Sequence, residues 1–311
     1  MDAAHVATDK ELERIEKKLT EIYSRAESEI GETWKKYLSE QDAKIKDLQA
    51  AYDAAKKSGD KAATRKAGRT LAGAKKERTI MDSHYRRMTE KLARDISSVN
   101  EKAMAYVNGR LPKVYATNYN EFSKELENEQ MGISFELVDE STVRNLAMTD
   151  NTLLPYKKVN GKKDVRWNVQ RLNAEVMQGI LQGEPMDKIA SRFSNVLGMN
   201  EASAIRNART SVTSAENKGR IDMLHDARKK GVIADKIWIA AHDSRTRHWH
   251  SDLDGVEKAM DEPFENVIIA SKIKSYPDKI MYPGDPDAAP ANTYNCRCTL
   301  GYKVIGFEKR R

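Results

Sequence analysis

Apolar residues recur every three or four positions over the first hundred residues, and this pattern restricts the fold more than any other feature of the sequence. The first run extends from Leu12 to Leu38, with Glu and Lys filling the positions between the apolar ones. Such spacing is typical of an amphipathic helix and predicts one over about residues 9–57. The turn-forming residues Ser58-Gly59-Asp60 then interrupt the pattern.

A second apolar stripe predicts another long helix over about residues 61–108, which Asn108-Gly109 should end. Two such helices joined by a short turn should fold back as an antiparallel hairpin. At 1.5 Å per residue, each arm would be roughly 70 Å long. A hairpin of this kind has little core of its own, so it fits a docking arm in an assembly. It fits equally well a plain helical bundle that later helices complete.

The second predicted helix begins in a strongly basic stretch. Residues 61–94 contain eleven Lys or Arg and three acidic residues, so the local excess exceeds the net charge of +7 of the whole chain. A basic helix face can neutralise DNA phosphates, whereas the simpler interpretation is a solvated face. The residues with which this stretch could contact DNA are Lys61, Arg65, Lys66, Arg69, Lys75, Lys76 and Arg78.

The chain after residue 110 mixes helical and extended patterns. Pro112 should begin a new segment, with a short acidic helix at residues 119–129 and an extended stretch at 133–138. Asn160-Gly161 is a hairpin signal. Three helices are expected at about residues 167–183, 184–197 and 201–230, followed by strands near 234–241 and 299–304.

These elements predict a mainly α protein with a smaller α+β C-terminal domain. A long antiparallel helical hairpin should occupy residues 1–110, a connecting segment residues 111–165, and a compact helix-and-short-strand module residues 166–311. The sequence contains no apolar run near 18 residues, so we expect no transmembrane helix. The start lacks the basic and apolar blocks of a secretion signal, which predicts a protein used inside a cell or inside something assembled there.

The last predicted long helix carries Arg206, Arg209 and Thr210 on one face, because their positions differ by three and four. These side chains could bind carboxylates of the following segment, or they could bind a phosphate. We favour structural pairing.

Residues 238–298 hold both cysteines and three of the six histidines. His248 and His250 share the alternate spacing of Cys296 and Cys298, so the four could form a tetrahedral zinc site, with Asp243 as a substitute ligand. However, ordinary zinc modules space their cysteines as C-x₂₋₄-C. The simpler interpretation is a pair of buried, reduced cysteines and no cofactor.

The same stretch contains the ingredients of a metal-dependent nuclease or other hydrolase in Asp243, His248, His250 and Asp252. They would also suit a polar network that holds long loops. We find no nucleophile elbow, phosphate-binding glycine loop or H-E-x-x-H helix, so we predict no catalytic residue and no enzyme.

The remaining polar residues of this stretch are expected to be structural. Arg245, Arg247 and Arg297 should bind Asp285, Asp287 or nearby carbonyl groups. Pro283-Gly284-Asp285-Pro286 should form a rigid corner, and Asn295 should set a turn before Cys296.

Over about residues 165–304, the motif order W…H-D-S-R-T-R-x-x-H-x-x-L-D-G…P-F…Y-P-G-D-P…N-C-R-C resembles the phage Mu F-like minor head proteins, also called head morphogenesis proteins. The earlier R-N-A-R-T-S resembles a helix of that family, although Ser211 stands where the family usually has Glu. The positions that match are Trp238, Asp243, Arg245, Thr246, Arg247, His250, Leu253, Gly255, Pro283, Gly284, Asp285, Pro286, Asn295, Cys296, Arg297 and Cys298.

The resemblance implies a virion component rather than a metabolic enzyme. It would lie in the capsid interior near the portal, and in the host cytoplasm during assembly. The partners implied are the portal protein, the major capsid or scaffolding protein, and double-stranded DNA during packaging or ejection. Some relatives carry a toxin or transferase domain after this module. The sequence continues for about a dozen residues past Cys298, so we expect no such domain here.

Overall fold

The computed structural model describes residues 2–77, 83–129, 133–184, 186–271 and 274–308. The helices are α1 Ala3–Lys57, α2 Lys61–Glu77, α3 Ser83–Glu129, α4 Glu140–Thr149, α5 Gly161–Leu181, α6 Met186–Ser191, α7 Phe193–Lys229, α8 His248–Ser251 and α9 Pro290–Thr293. The strands are β1 Val232–Ile239, β2 Glu257–Ala259, β3 Phe264–Ser271, β4 Lys274–Ile280 and β5 Thr299–Phe307. The predicted fold class is confirmed: the protein is mainly α, with a small region of antiparallel strands near its C-terminal end.

The predicted turn between the first two helices is present. Gly59 adopts a φ of +75°, a conformation that costs a glycine little. The Asp60 carboxylate then caps α2 by accepting hydrogen bonds from the next free backbone N–H groups. α2 runs back along α1, because Thr64 Oγ1 donates to Ala55 O over 3.0 Å and Lys75 Nζ donates to Gln49 Oε1 over 3.0 Å. The predicted hairpin is therefore present between α1 and α2, and α2 covers residues 61–77 of the second arm that was expected over 61–108.

The predicted end of the second helix at Asn108-Gly109 is wrong. α3 continues through Pro112 to Glu129, so the acidic stretch at 119–129 is the end of this helix and not a separate one. Leu111 and Val114 are buried just beyond the expected stop. Asn108 instead clamps the backbone of Lys157: its Nδ2 donates to the carbonyl over 2.8 Å, and its Oδ1 accepts from the N–H over 3.1 Å.

The chain forms two compact units, each assembled from separate stretches of sequence. Unit 1 comprises Met1–Lys18, Met104–Lys157 and Ser203–Arg311, and unit 2 comprises Leu19–Ala103 and Lys158–Ala202. The core of unit 2 includes Leu19, Leu92 and Ile96, which are fully buried. The domain boundaries expected at residues 110 and 165 stay predictions.

Two further local predictions are wrong. Asn160-Gly161 does not form a hairpin, because the Asn160 side chain accepts from Lys163 N over 3.1 Å and so caps α5 at its first turn. Gly198 does not end a helix, because α7 continues through it as far as Lys229. In contrast, Gly231 follows the end of α7 as expected, with a φ of +89°.

In unit 1, β1 is the central strand of an antiparallel sheet with the order β2-β1-β5, and Trp238 pairs with Leu300. A second antiparallel pair is formed by β3 and β4. The stretch at 133–138 forms no strand and has no regular secondary structure; the Asn120 side chain binds both the N–H and the C=O of Val138.

Candidate functional site

Helix α7 carries a buried polar stripe that holds the segment of the two cysteines. Thr213 Oγ1 donates to Cys296 O over 2.7 Å, and Asn217 Nδ2 donates to Cys298 O over 3.2 Å. The Asn217 Oδ1 atom accepts from Leu300 N over 2.7 Å. These contacts replace backbone partners that the segment lacks before β5 begins.

One turn further along α7, Arg220 is completely buried. Its guanidinium donates to both carboxylate oxygens of Asp2 over 2.7 and 2.8 Å, to Asn118 Oδ1 over 2.9 Å and to Leu300 O over 2.9 Å. It also lies over the ring of Phe122, 4.7 Å from the centroid. Arg220 thus links the beginning of the chain, α3 and β5 inside unit 1.

Glu216 lies beside Arg220 and is equally buried. Its Oε1 is 2.7 Å from His5 Nδ1 and 2.8 Å from Thr299 Oγ1. Burial on its own lowers the pKa of His5, but the hydrogen bond and the negative charge of Glu216 outweigh burial and raise it. The spacing of Thr213, Glu216 and Arg220 by three and four residues is the sequence signal for this stripe.

The predicted face of Arg206, Arg209 and Thr210 forms structural contacts. Arg209 holds both oxygens of Glu16, over 2.6 and 3.1 Å, and Thr210 Oγ1 accepts from Asn295 N over 2.9 Å. Arg206 is exposed. The pairing therefore involves a carboxylate of α1 rather than one of the segment after α7.

Two of the motif arginines hold loops, with partners that differ in part from those expected. Arg297 does not bind Asp285 or Asp287; it binds both oxygens of Asp243. This pairing lowers the pKa of Asp243 to about 2. Arg247 does bind a carbonyl, that of Tyr294, over 2.6 Å. Arg245 is exposed, and its backbone N–H donates to Asp243.

The motif Pro283-Gly284-Asp285-Pro286 forms a tight corner against α7. Gly284 has a φ of +79°, and a Cβ atom at this position would lie 3.0 Å from Ser214 N, so a side chain does not fit. The Asp285 carboxylate accepts from Met281 N and Asp287 N, each over 2.9 Å. An arginine partner is not needed there, because these N–H groups already satisfy the carboxylate.

Two other motif positions adopt left-handed backbone conformations, as their residue types allow. Gly255 has a φ of +73°, and its N–H donates to Trp238 O over 2.8 Å. Asn295 has a φ of +55°, which Asn tolerates better than most residues, and turns the chain into Cys296.

Three of the four predicted metal ligands, His250, Cys296 and Cys298, have their potential ligand atoms within 4.8 Å of one another. His250 Nδ1 is 3.6 Å from Cys296 Sγ and 3.6 Å from Cys298 Sγ, and all three side chains are buried. Among the residues that the structure describes, this is the one group of three or more potential ligands with atoms so close together. Both cysteines are free thiols. Trp238 covers the cluster, with its ring centroid 5.2 Å from that of His250.

The fourth predicted ligand, His248, is not part of this cluster. It is exposed, and its ring contacts that of Trp249. Asp243, the substitute ligand, is held by Arg297, and Asp252 is exposed. The set proposed for hydrolysis, Asp243 with His248 and His250, is therefore not gathered around one ion.

Asn292 contacts the ring nitrogen of His250 that does not face the cysteines. The sequence did not predict this role. Its buried Oδ1 atom accepts from Trp249 Nε1 over 3.0 Å and lies 3.1 Å from His250 Nε2. Its Nδ2 donates to Asp278 Oδ2 over 2.7 Å and to Asn266 Oδ1 over 3.1 Å. These partners come from separate stretches of sequence, so no local pattern indicates the role of Asn292.

The cluster perturbs the acidity of its own thiols. The hydrogen bond with Cys296 and the contact with His250 lower the pKa of Cys298. The same hydrogen bond, together with burial, raises the pKa of Cys296. One sulfur is thus favoured as a thiolate and the other as its hydrogen-bond donor.

The basic candidates for DNA contact lie on or near α2. Lys61, Arg65, Lys66 and Arg69 are exposed and line one shallow surface depression. Lys75 is exposed and bound to Gln49. The side chain of Lys76 and the whole of Arg78 lie outside the described residues. No helix in the described part of the chain combines the length and the apolar character needed to cross a membrane.

The C-terminal part of unit 1 combines a small antiparallel sheet with a loop-rich segment, and α7 anchors both of them. Residues 170–301 match the family described as Phage Mu protein F like protein. The resemblance to the Mu F-like head morphogenesis family is therefore confirmed over this part of the chain.

Two relatives extend the comparison. The chain is 27% identical over 217 residues to "Minor head protein GP7" of Bacillus phage SPP1, which covers 69% of this chain and 67% of that protein. It is 23% identical over 187 residues to "NAD(+)--arginine ADP-ribosyltransferase EFV" of Enterococcus faecalis (strain ATCC 700802 / V583), which covers 58% of this chain and 35% of that protein. No solved structure matches the chain.

Proposed function

We propose that this chain is a minor capsid protein of a tailed phage or prophage, that it acts in head morphogenesis, and that it associates with the portal inside the head. The observation that carries the proposal is the family match over residues 170–301, together with a relative named as a minor head protein. The interior position and the portal are the finer part of the proposal, and they rest on the resemblance of the motif series.

The role we propose is structural rather than enzymatic. The polar residues of the C-terminal motifs are engaged in holding loops: Asp243 with Arg297, Asp285 with backbone N–H groups, and Thr210 with Asn295. The relative named as an ADP-ribosyltransferase is matched over 35% of its length, so most of that protein lies outside the match. Its activity is therefore no argument for a transferase here.

In this proposal the hairpin of α1 and α2 docks on the portal or on the inner capsid surface, while the Mu F-like module provides a rigid fold. Cross-linking mass spectrometry on procapsids of the encoding phage tests the docking. We expect cross-links from lysines of α1 and α2 to the portal protein. Cross-links to the major capsid or scaffolding protein alone would remove the portal from the proposal and leave the head role standing.

A second candidate activity is contact with double-stranded DNA through α2. Lys61, Arg65 and Arg69 are spaced by four residues and therefore share one helix face, and all three are exposed. If this face meets phosphates, the logarithm of the binding constant falls linearly with the logarithm of salt concentration, with a slope of about −0.9 for each phosphate neutralised.

Reversing these three charges to Glu tests the contact. We expect weaker binding and a salt slope that is shallower by about 2–3. The matched control is the reversal of Lys35, Lys36 and Lys46, which are exposed on α1. Equal losses in both triple variants, or binding that does not depend on salt, would eliminate α2 as a DNA contact without touching the head role.

A further inference from the structure

We propose that His250, Cys296 and Cys298 bind one Zn²⁺ ion. The three side chains are 1%, 2% and 2% exposed, so any ion between them is shielded from solvent. The inference does not depend on the head role, because it rests on the geometry of this cluster alone.

The orientation of the Asn292 side-chain amide decides whether its oxygen or its nitrogen faces His250. A tryptophan Nε1–H can only donate, and an ionised carboxylate can only accept. Trp249 Nε1 faces the Oδ1 of Asn292, and Asp278 Oδ2 faces its Nδ2. Both contacts therefore require the amide oxygen to point towards His250.

The tautomer of His250 follows from that orientation. Its Nε2 is 3.1 Å from the Asn292 oxygen, so this nitrogen must carry the hydrogen. In the neutral imidazole the other nitrogen, Nδ1, then has a free lone pair. That lone pair faces both sulfur atoms. In protein metal sites, one ring nitrogen of a histidine ligand binds the ion, and the other generally donates its hydrogen to an oxygen acceptor.

The distances agree with a tetrahedral ion. Zinc lies about 2.3 Å from a thiolate and about 2.0–2.1 Å from an imidazole nitrogen, so tetrahedral angles put nitrogen and sulfur about 3.5 Å apart. The observed separations are 3.6 Å to Cys296 and 3.6 Å to Cys298.

The local backbone is also compatible with two thiolate ligands. The N–H of Cys298 donates to Cys296 Sγ over 3.5 Å, a contact that remains possible when an ion replaces the thiol hydrogen. Cys296 and Cys298 lie in an irregular segment just before β5, and both sulfur atoms lie 3.6 Å from His250 Nδ1, so C-x-C spacing presents two ligands here. Two thiolates neutralise the ion, and soft sulfur with imidazole nitrogen favours zinc over calcium or magnesium.

The ion would join α8 to the segment that precedes β5, which are separated by more than forty residues of sequence. Its role would be to hold these loops together. Three protein ligands leave one position of the tetrahedron for a fourth donor.

The test uses the untagged full chain produced with zinc in the medium. Elemental analysis should find one zinc per chain, and replacement by Co²⁺ should give thiolate-to-metal absorption in the near ultraviolet. His250→Gln and the double variant Cys296→Ser, Cys298→Ser should lose the metal. The matched control is His248→Gln, which alters the exposed histidine two residues away and should keep one zinc.

X-ray absorption on the unaltered protein covers the case in which a variant fails to fold. We expect a zinc environment with two sulfur neighbours at about 2.3 Å and nitrogen or oxygen neighbours at about 2.0–2.1 Å. The proposal is overturned if the unaltered chain contains no zinc and binds no cobalt, or if the absorption data show no sulfur neighbour. Folded His250→Gln that keeps its zinc would also overturn it.

Discussion

Replacing Arg220 by Met should destabilise unit 1 strongly. The guanidinium is fully buried and donates to Asp2, Asn118 Oδ1 and Leu300 O. Methionine keeps much of the side-chain volume but leaves these acceptors, and the buried carboxylate of Glu216 3.4 Å away, without their cation. Removing one partner of a buried ion pair typically costs about 3–5 kcal/mol, because the remaining charge is uncompensated.

Urea denaturation followed by tryptophan fluorescence measures this loss, in which Trp238 and Trp249 report on unit 1 and Trp34 and Trp167 report on unit 2. With a denaturant slope of about 2 kcal/mol/M, the midpoint for unit 1 should fall by about 1.5–2.5 M. The control is Arg228→Met on the same helix. Arg228 is exposed and pairs with the exposed Asp261, so its loss should leave the midpoint unchanged. Equal midpoints for the two variants would refute the idea that the buried stripe of α7 holds unit 1 together.

Two further predictions concern the same unit. A Cβ at Gly219 would lie 2.5 Å from Tyr115 O, so Gly219→Ala should force α3 and α7 apart and cost about 1–3 kcal/mol in urea denaturation. The control is Gly198→Ala in the part of α7 that belongs to unit 2, where a Cβ would meet nothing within 4 Å and should stabilise by up to about 1 kcal/mol. Equal effects of the two substitutions would contradict the close contact between α3 and α7. The folded-state pKa of His5 lies above 6.5, so its contribution to stability is complete below pH 6.5 and is lost as pH rises through the folded value. The free energy of unfolding should therefore fall less steeply above pH 6.5 in His5→Gln than in the unaltered chain, and parallel curves would show that the contact with Glu216 is not coupled to protonation.

Local turn signals predicted the end of a helix correctly where the buried apolar residues of that helix also end. The turn at Gly59 and the stop at Gly231 were confirmed, because at both places the backbone needs a left-handed residue. Asn108-Gly109 and Gly198 carry similar signals within continuous helices. Such a signal is worth only about 1 kcal/mol, whereas burying one large apolar side chain yields about 1.5–3 kcal/mol. Leu111 and Val114 therefore override the stop at Asn108.

The candidate site shows a similar limit. His248 and His250 share the spacing of the two cysteines, and both were predicted to point towards one ion. However, they lie in the single helical turn α8, where residues two apart point in nearly opposite directions. The cysteines lie in an irregular segment before β5, and both of their sulfur atoms lie 3.6 Å from His250 Nδ1. Spacing alone does not distinguish these two situations, because the difference arises from the backbone conformation.

The role of Asn292 was beyond sequence reasoning for another reason. Its partners Trp249, Asn266 and Asp278 belong to different elements, and only the packing of unit 1 brings them together. The polar stripe of α7 is different, because Thr213, Glu216 and Arg220 follow helical spacing within one continuous segment. A buried polar network of this second kind can be predicted from sequence.

Quantitative mass spectrometry of purified procapsids and mature heads from the encoding phage or prophage tests most directly whether this chain is a component of a phage head. We expect peptides from residues 170–301, the part that matches the family, in both particles and in far fewer copies than the major capsid protein. Complete absence of the chain from both particles, in a lysate that contains it, would contradict the proposed head role.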